Sequence, residues 1–401
     1  VEKYLIKTFT GLEQVLANEL TALGAENVKA VSRGVLCEGS DRLMYRANLE
    51  LRTGLRVYKH LADFDASSPD ALYYGIGDFD WESILPRNGT FWVTSTANRT
   101  EWVLNTMIVT LKTKDAIVDK LRVGETRPNI ERDRPDLRVH TYVHDGQGSV
   151  WLDSTGDPLF KRGYRLRTLE APINEVLAAG ILSIAEYSAA TPLVDPMCGS
   201  GTFLIEAARM AMNIPSQNER QFFAFMNWPD FDAKRWQVVR QQALSRVHRG
   251  QIAPIIGSDL ERRAIRYADR NIHQSGLSKR IELHEADFFK VSAPFEKGKL
   301  IMNPPYDERL SIERGAAWYG DIGHALKHYW SGWEANVVSG FMDGLYSLKL
   351  TPKRKIPLDN GGIPVELWRI PLYAGSKFDT LQSEPDSDVV TEDNTFHSEE
   401  D

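Results

Sequence analysis

Apolar positions along the first 160 or so residues alternate between two periods. "EKYLIK" alternates as a strand; Leu12, Val15, Leu16 and Leu20 then share a helical face, and Gly24 supplies a stop. Short strands follow in "AVSRGVLCEG" and a helix from Asp41 to Leu51, an order that suits a small α+β unit. From about His60 to Lys161 a second mixed region holds strand "TFWVTSTA" and helix "TLKTKDAIVDKLR". It closes with "LRVHTYVHDGQGSVWLD", a hairpin turning at Asp145-Gly146. After Arg167 the pattern changes. Helix "APINEVLAAGILSIAEYS" precedes strand "PLVDP", and the strands "PIIGSDL", "RIELHEADF", "KLIMNPP", "NVVSGFM" and "VELWRIPLY" then alternate with helices. That alternation predicts a doubly wound α/β sheet with ligands at the C-terminal strand ends. Between Asn213 and Gln251 lies an insertion rich in Phe and Trp, expected as a helical cap on the substrate side; ordinary core packing explains its aromatics equally well. The expected division is 1–60, 61–160 and 161–377, with a tail at 378–401.

Composition narrows the class. At 401 residues, 26% charged and 42% hydrophobic, the chain has room for two or three globular domains. No apolar run approaches the ~18 residues of a membrane span. The acids among residues 1–20 do not suit a signal peptide. Cys37 and Cys198 lie far apart and suggest neither a disulfide framework nor a metal site, so a reducing cytoplasm is expected. The net charge of −7 misleads about partners. Nine acids and no Lys or Arg follow Lys377; without them 46 acidic residues face 48 basic ones, about +2. That tail has the composition of a solvated, disordered segment.

The chemistry starts at "VDPMCGSGTFLIEAA". A strand that breaks at Gly199-Ser200-Gly201 and restarts as a helix aims backbone N–H groups at an anion. Asp195 argues against phosphate, because two like charges at about 4 Å cost roughly 4 kcal/mol in an effective dielectric near 20. A ligand with an ammonium for Asp195 and a carboxylate for the turn suits better: the amino-acid end of S-adenosyl-L-methionine. The turn from Pro196 through Cys198 and Ser200 to Thr202 is then the cofactor-binding stretch. Later strand ends extend it. "IIGSDLE" places Asp259 to accept from ribose hydroxyls, and "HEADFF" places Asp287 to accept from an adenine amine, with Phe288 to cover the ring.

"LIMNPPYDERL" ends the next strand with Asn303-Pro304-Pro305-Tyr306. Two prolines cannot continue a ladder, so the chain leaves the sheet with restricted φ. The Asn303 side-chain oxygen and the Pro304 carbonyl become neighbouring acceptors for both protons of an exocyclic amine, and Tyr306 can stack on the base. Acceleration by alignment requires no metal.

"DPMCGSGT" followed by "NPPY" resembles the amino-group methyltransferases of nucleobases. "RPNIERDRPDLRVHTYVHDGQGSVWLDSTGDPLFKRGYR" and "APINEVLAAGIL" further resemble the THUMP-containing subfamily that makes N2-methylguanosine in 23S rRNA. The resemblance covers roughly residues 1–375. It implies a ferredoxin-like unit, a THUMP module and a Rossmann-like methyltransferase, in that order. By motif position it implies cofactor contacts from Asp195, Cys198, Gly199, Gly201, Asp259 and Asp287, with Glu175 on the cofactor side. Catalysis falls to Asn303, Pro304 and Tyr306. Some relatives carry a second methyltransferase, and an acidic tail in its place implies a single modification.

The same resemblance makes RNA the expected partner. Arg127, Arg132, Arg134 and Arg138 cluster near a helix end, and Lys161, Arg162, Arg165 and Arg167 cluster at the domain junction; both sets are candidate phosphate contacts. Surface pairing of Arg132 and Arg134 with Glu131, Asp133 and Asp136 is the competing expectation. A target base inside a stem has to be flipped out. Adenine-N6 methylation of DNA or RNA, guanine-N2 methylation of tRNA, and a non-enzymatic RNA-binding assembly factor are the rivals; a cytosine-C5 enzyme using Cys198 fails because that thiol lies in the cofactor turn. Residue types leave guanine and adenine open, and monomer and homodimer too.

Overall fold

The computed structural model describes residues 1–167, 172–305 and 312–373, apart from the side chains of 312–314. Two sheets organise it. The first has eight strands: β1 (Glu2–Lys7), β2 (Glu26–Val31), β3 (Gly34–Gly39), β4 (Arg56–Asp65), β5 (Thr90–Asn98), β6 (Asn129–Ile130), β7 (Leu137–His144) and β8 (Gln147–Asp153). Its spatial order is β2-β3-β1-β4-β8-β7-β5-β6.

Local chemistry explains its elements. On β1, Tyr4 and Ile6 point to the core while Lys3 is exposed. Helix α1 (Glu13–Ala22) buries Leu16 and Leu20; it stops where Gly24 turns left-handed and Ala25 N–H donates to Leu20 O at 3.0 Å. The hairpin β7–β8 turns at Asp145-Gly146, both at positive φ (48° and 75°), the two-residue form that matches strand twist. Helices α2 (Asp41–Glu50), α3 (Pro69–Gly77) and α4 (Thr106–Leu121) pack on this sheet.

β4 was not expected as one element. It pairs with β1 through Arg56–Lys59 and with β8 through Tyr58–Asp65, so a single strand joins two units into one continuous sheet. A boundary at residue 60 falls inside it.

The second sheet follows α5 (Glu175–Ile184). Its strands are β9 (Leu193–Asp195), β10 (Ile255–Asp259), β11 (Glu282–Glu285), β12 (Lys299–Met302), β13 (Glu334–Ser339), β14 (Arg354–Asn360) and β15 (Ile363–Pro371). The order is β11-β10-β9-β12-β13-β15-β14, parallel from β11 to β13 and then antiparallel. The chain moves outward one way through β10 and β11, then the other way through β12 and β13. That reversal opens a crevice above β9 and β12. Strand β14 had no strong sequence signal, because Pro357 and charged residues interrupt its apolar alternation. The helices are α6 (Thr202–Ala211), α7 (Ala233–Ser245), α8 (Arg262–Gln274), α9 (Ile312–Tyr329) and α10 (Met342–Ser347).

The aromatic insertion does not cap the substrate side. Phe225 lies 4.8 Å and Trp236 5.9 Å (ring centroids) from Tyr45 of α2, and Asp232 N–H donates to the Tyr45 hydroxyl. Its apolar surface joins the core of the eight-stranded sheet, so the insertion packs on the N-terminal units.

Candidate active site

The crevice holds a cavity of about 480 Å³, within the range of small-molecule sites. Four strand ends meet there. From β9 come Asp195 and the turn Pro196, Cys198, Gly199, Ser200 and Thr202; from β10, Asp259; from β11, Asp287 and Phe288; from β12, Asn303, Pro304 and Pro305. Residues separated by more than a hundred positions thus share one wall. Tyr306 lies outside the described residues.

The turn is built by backbone geometry. Gly199 and Gly201 are both left-handed, with φ of 53° and 82°. Gly201 itself is not on the wall. A Cβ there would sit 3.2 Å from Ala268 Cβ, so its bare backbone lets α8 close against the turn. Gly199 N–H donates to Asp259 Oδ2 (2.9 Å) and Cys198 N–H to Ser258 O (2.9 Å), tying the β9 turn to β10.

Asp195 is 1% exposed, and its Oδ1 accepts only from Met197 N–H, at 3.2 Å, among the described residues. Burial, with Asp259 nearby, pushes its carboxyl well above the usual range despite that bond. Burial also raises Asp259, against bonds from the Glu261 and Gly199 N–H groups. A buried carboxylate facing a cavity without a cation is a seat for a positively charged group. The Cys198 thiol is pushed up by burial and by both carboxylates, which removes it as a nucleophile. Asp287 caps the turn after β11 through Phe289 N–H (3.1 Å) and pairs with Lys290 at 3.3 Å.

Several wall residues were not anticipated. Leu260, Arg263, Phe289 and Trp318 also face the cavity. Phe289 stands beside the predicted Phe288, so adjacency was an available signal; Trp318 comes from α9 and carried none.

Glu175 is displaced from its expected place. It is buried but not on the wall, and Oε1 accepts from Arg165 Nε at 2.7 Å. Arg165 also donates through Nη2 to Ile173 O (2.9 Å) and Thr202 Oγ1 (3.1 Å). Its guanidinium thus clamps the rear of the cofactor turn and is withdrawn from phosphate contact. Arg162 is a further correction. It is 1% exposed, pairs with Glu206 of α6 at 3.7 Å and donates to Leu159 O and Arg52 O. Glu206, fully buried, demands that counter-charge, so no phosphate reaches Arg162.

The remaining basic residues stay accessible. Arg127, Arg132, Arg134, Lys161 and Arg167 are exposed. Arg132 lies over the Trp92 ring and Arg134 over Phe222, 6.0 and 5.9 Å from the centroids. The expected surface pairing is not what holds them: Asp136 accepts from Thr90 and Glu131 from Asp133 N–H. Two adjoining cavities of about 560 and 270 Å³ share Arg138, Asp157 and Lys161, forming a basic, aromatic groove at the junction.

Comparison with known proteins gives concordant findings. The model of the RMKL-like methyltransferase domain matches residues 162–368, the RlmL ferredoxin-like domain residues 3–58 and the THUMP domain residues 66–153. A Synechocystis protein, provisionally named an RNA methyltransferase, is 35% identical over 92% of this chain and 97% of its own. Ribosomal RNA large subunit methyltransferase K/L of Aliivibrio fischeri is 37% identical over 91% of this chain but 52% of its own, so the chain spans about half of that relative. The crystal structure of SMU.472, provisionally named a methyltransferase and complexed with SAH, superposes with a TM-score of 0.84 at 29% identity, covering 94% of this chain and 99% of that one.

Proposed function

The chain belongs to the RMKL-like methyltransferase family, and from that premise we propose that it methylates the exocyclic N2 amine of a guanosine in 23S rRNA, in the cytoplasm. The observation that carries the reading is the meeting of Asn303 and Pro304 with Asp195, Asp259 and Asp287 around one cavity.

The residues present fit S-adenosyl-L-methionine. Asp195 would take its ammonium, the N–H groups at the start of α6 its carboxylate, Asp259 the ribose hydroxyls, and Asp287 with Phe288 the adenine. Bound there, the cofactor supplies a methyl group activated by a sulfonium charge.

The chain's own part is alignment. Pro304 and Pro305 have no N–H, so the exit from β12 presents acceptors and no competing backbone donors there. Asn303 Oδ1 and the Pro304 carbonyl accept the two amine protons. That draws the nitrogen lone pair out of conjugation and holds it on one line of attack. Tyr306, next in the chain, is assigned to stack on the flipped base. Arg127, Arg132, Arg134, Lys161 and Arg167 are assigned to RNA phosphates. Guanine and 23S rRNA rest on the family and on the relative named for large-subunit rRNA.

The test incubates the protein and labelled S-adenosylmethionine with ribosomal RNA, transfer RNA and DNA, then digests to nucleosides. N2-methylguanosine from ribosomal RNA is expected; labelled methyladenine from DNA alone overturns the reading. Asn303→Ala should lower kcat by on the order of 10³-fold, equivalent to about 4 kcal/mol, with cofactor affinity within about threefold.

A further inference from the structure

The outer face of α8 was absorbed by neither the cofactor site nor the expected basic clusters. Ala264, Ala268, Asn271 and Ile272 make its buried side, which packs on the glycine turn. Helical spacing then sends Arg262, Arg266 and Arg270 outward along the opposite side, one per turn and about 6 Å apart. Arg263 sits between this row and the cavity, whose wall it helps form. All four are exposed, and Asp269 is the one acid in these thirteen residues.

None of this charge is used within the fold. Among the described residues Arg263, Arg266 and Arg270 have no hydrogen bond or ion pair, and Arg262 has a single 3.9 Å contact with Glu285. Some exposed arginines elsewhere are engaged, as Arg246 is with Glu50 and Arg280 with Gly250 O and Arg249 O. Arg99, Arg127, Arg249 and Arg354 are exposed without a side-chain partner among the described residues. What sets α8 apart is that its free arginines recur one per turn on one face. A row of unpartnered guanidiniums is a poor stabiliser of its own helix, through like-charge repulsion one turn apart. It is a good match to a run of phosphates, whose spacing along a strand is similar and which arginine binds bidentately.

We propose that this face of α8 binds the phosphate backbone of the RNA strand that flanks the target base, leading it from Arg270 to the cavity mouth at Arg263. The proposal rests on the RNA reading above and adds a surface on the catalytic domain itself. The base enters where the row ends, so phosphate contacts on α8 would set the register of the strand over Asn303.

The experiment compares wild type, Arg266→Ala/Arg270→Ala and a charge-matched control, Lys297→Ala/Lys353→Ala, at the opposite ends of the strands. Filter binding of in vitro-transcribed 23S rRNA is measured across a salt series, and S-adenosylmethionine affinity by calorimetry. The α8 variant should bind RNA at least about tenfold more weakly, and its log K against log salt slope should be shallower by about 1.4 to 1.8, with cofactor affinity unchanged. The control should match wild type. An unchanged slope in the α8 variant, or an equal loss in the control, overturns the proposal while wild-type methylation of the RNA leaves the underlying reading standing. Absence of RNA methylation by the wild type overturns both.

Discussion

Residues 161–167 and residues 262–270 each carry four cations in a short window, yet the fold uses them in opposite ways. In the first window Arg162 is sealed against Glu206 and Arg165 is bound to Glu175, Ile173 and Thr202, leaving only Lys161 and Arg167 outside. In the second, all four stay in solvent beside the cavity mouth. The difference lies in what each window packs against. The first threads between two domains, past α6 with its buried Glu206. The second is a helix whose two alanines occupy the packing side, so its arginines face outward, with the 3.9 Å approach of Arg262 to Glu285 their one ion pair among the described residues. Local charge density therefore says little about a nucleic-acid surface until the partners are known.

The sharpest way to break this contrast is Arg162→Ala. If Arg162 is structural, removing it leaves Glu206 buried with only the Tyr164 hydroxyl bond and the Arg52 charge to offset it, which costs about 3 kcal/mol of stability in urea unfolding. The double variant Arg162→Met/Glu206→Leu should recover most of that. A loss below about 1 kcal/mol from the single variant would return Arg162 to the candidate RNA contacts.

Arg165 tests the same division at the cofactor turn. Arg165→Ala should raise the KM for S-adenosylmethionine about tenfold, some 1.4 kcal/mol, with a much smaller change in kcat. Arg165→Lys should rescue little, because an ammonium cannot make the forked contacts to Glu175 and Thr202 together. The salt dependence of RNA binding should stay at the wild-type slope, unlike that of the α8 variant.

A smaller effect separates buried from exposed charge by pH. Burial raises the Asp195 carboxyl in the free protein, so the native state holds a proton that the unfolded chain has released. That contribution is complete below the unfolded carboxylate range and is lost as pH rises through the raised native value. The free protein should lose stability on that limb, and the rise in Tm on adding S-adenosylmethionine should grow with pH. Asp195→Asn should flatten both trends; Arg266→Ala should leave them as they are. A pH-independent cofactor shift in wild type would remove Asp195 from the ammonium site.

Much of the site was legible before any coordinates. Asp195, Asp259 and Asn303 each follow an apolar strand and Asp287 follows the short, mostly polar β11, and alternating strands and helices bring such ends together. Glu175 was misplaced: its sequence position puts it near the turn, but only Arg165 decides which way it faces. The aromatic insertion reads alike whether its rings cover a substrate or a neighbouring helix. The α8 row was readable, since Ala264 and Ala268 fall one turn apart with arginines on the other side. That these arginines stay without partners is not readable there, because it depends on which acids the rest of the fold brings near.

What the chain determined alone is what depends on neighbours a few residues away. Periodicity set strands against helices, glycines at left-handed φ made the turn, and two prolines ended β12. Tertiary structure decided whatever depends on residues far apart: the fusion of two units through β4, the seat of the insertion on α2, and which arginines meet a buried carboxylate. The physical reason is that a charge or an apolar ring has no fixed value of its own. Its contribution is set by the dielectric and the partners around it, and those arrive from elsewhere in the chain.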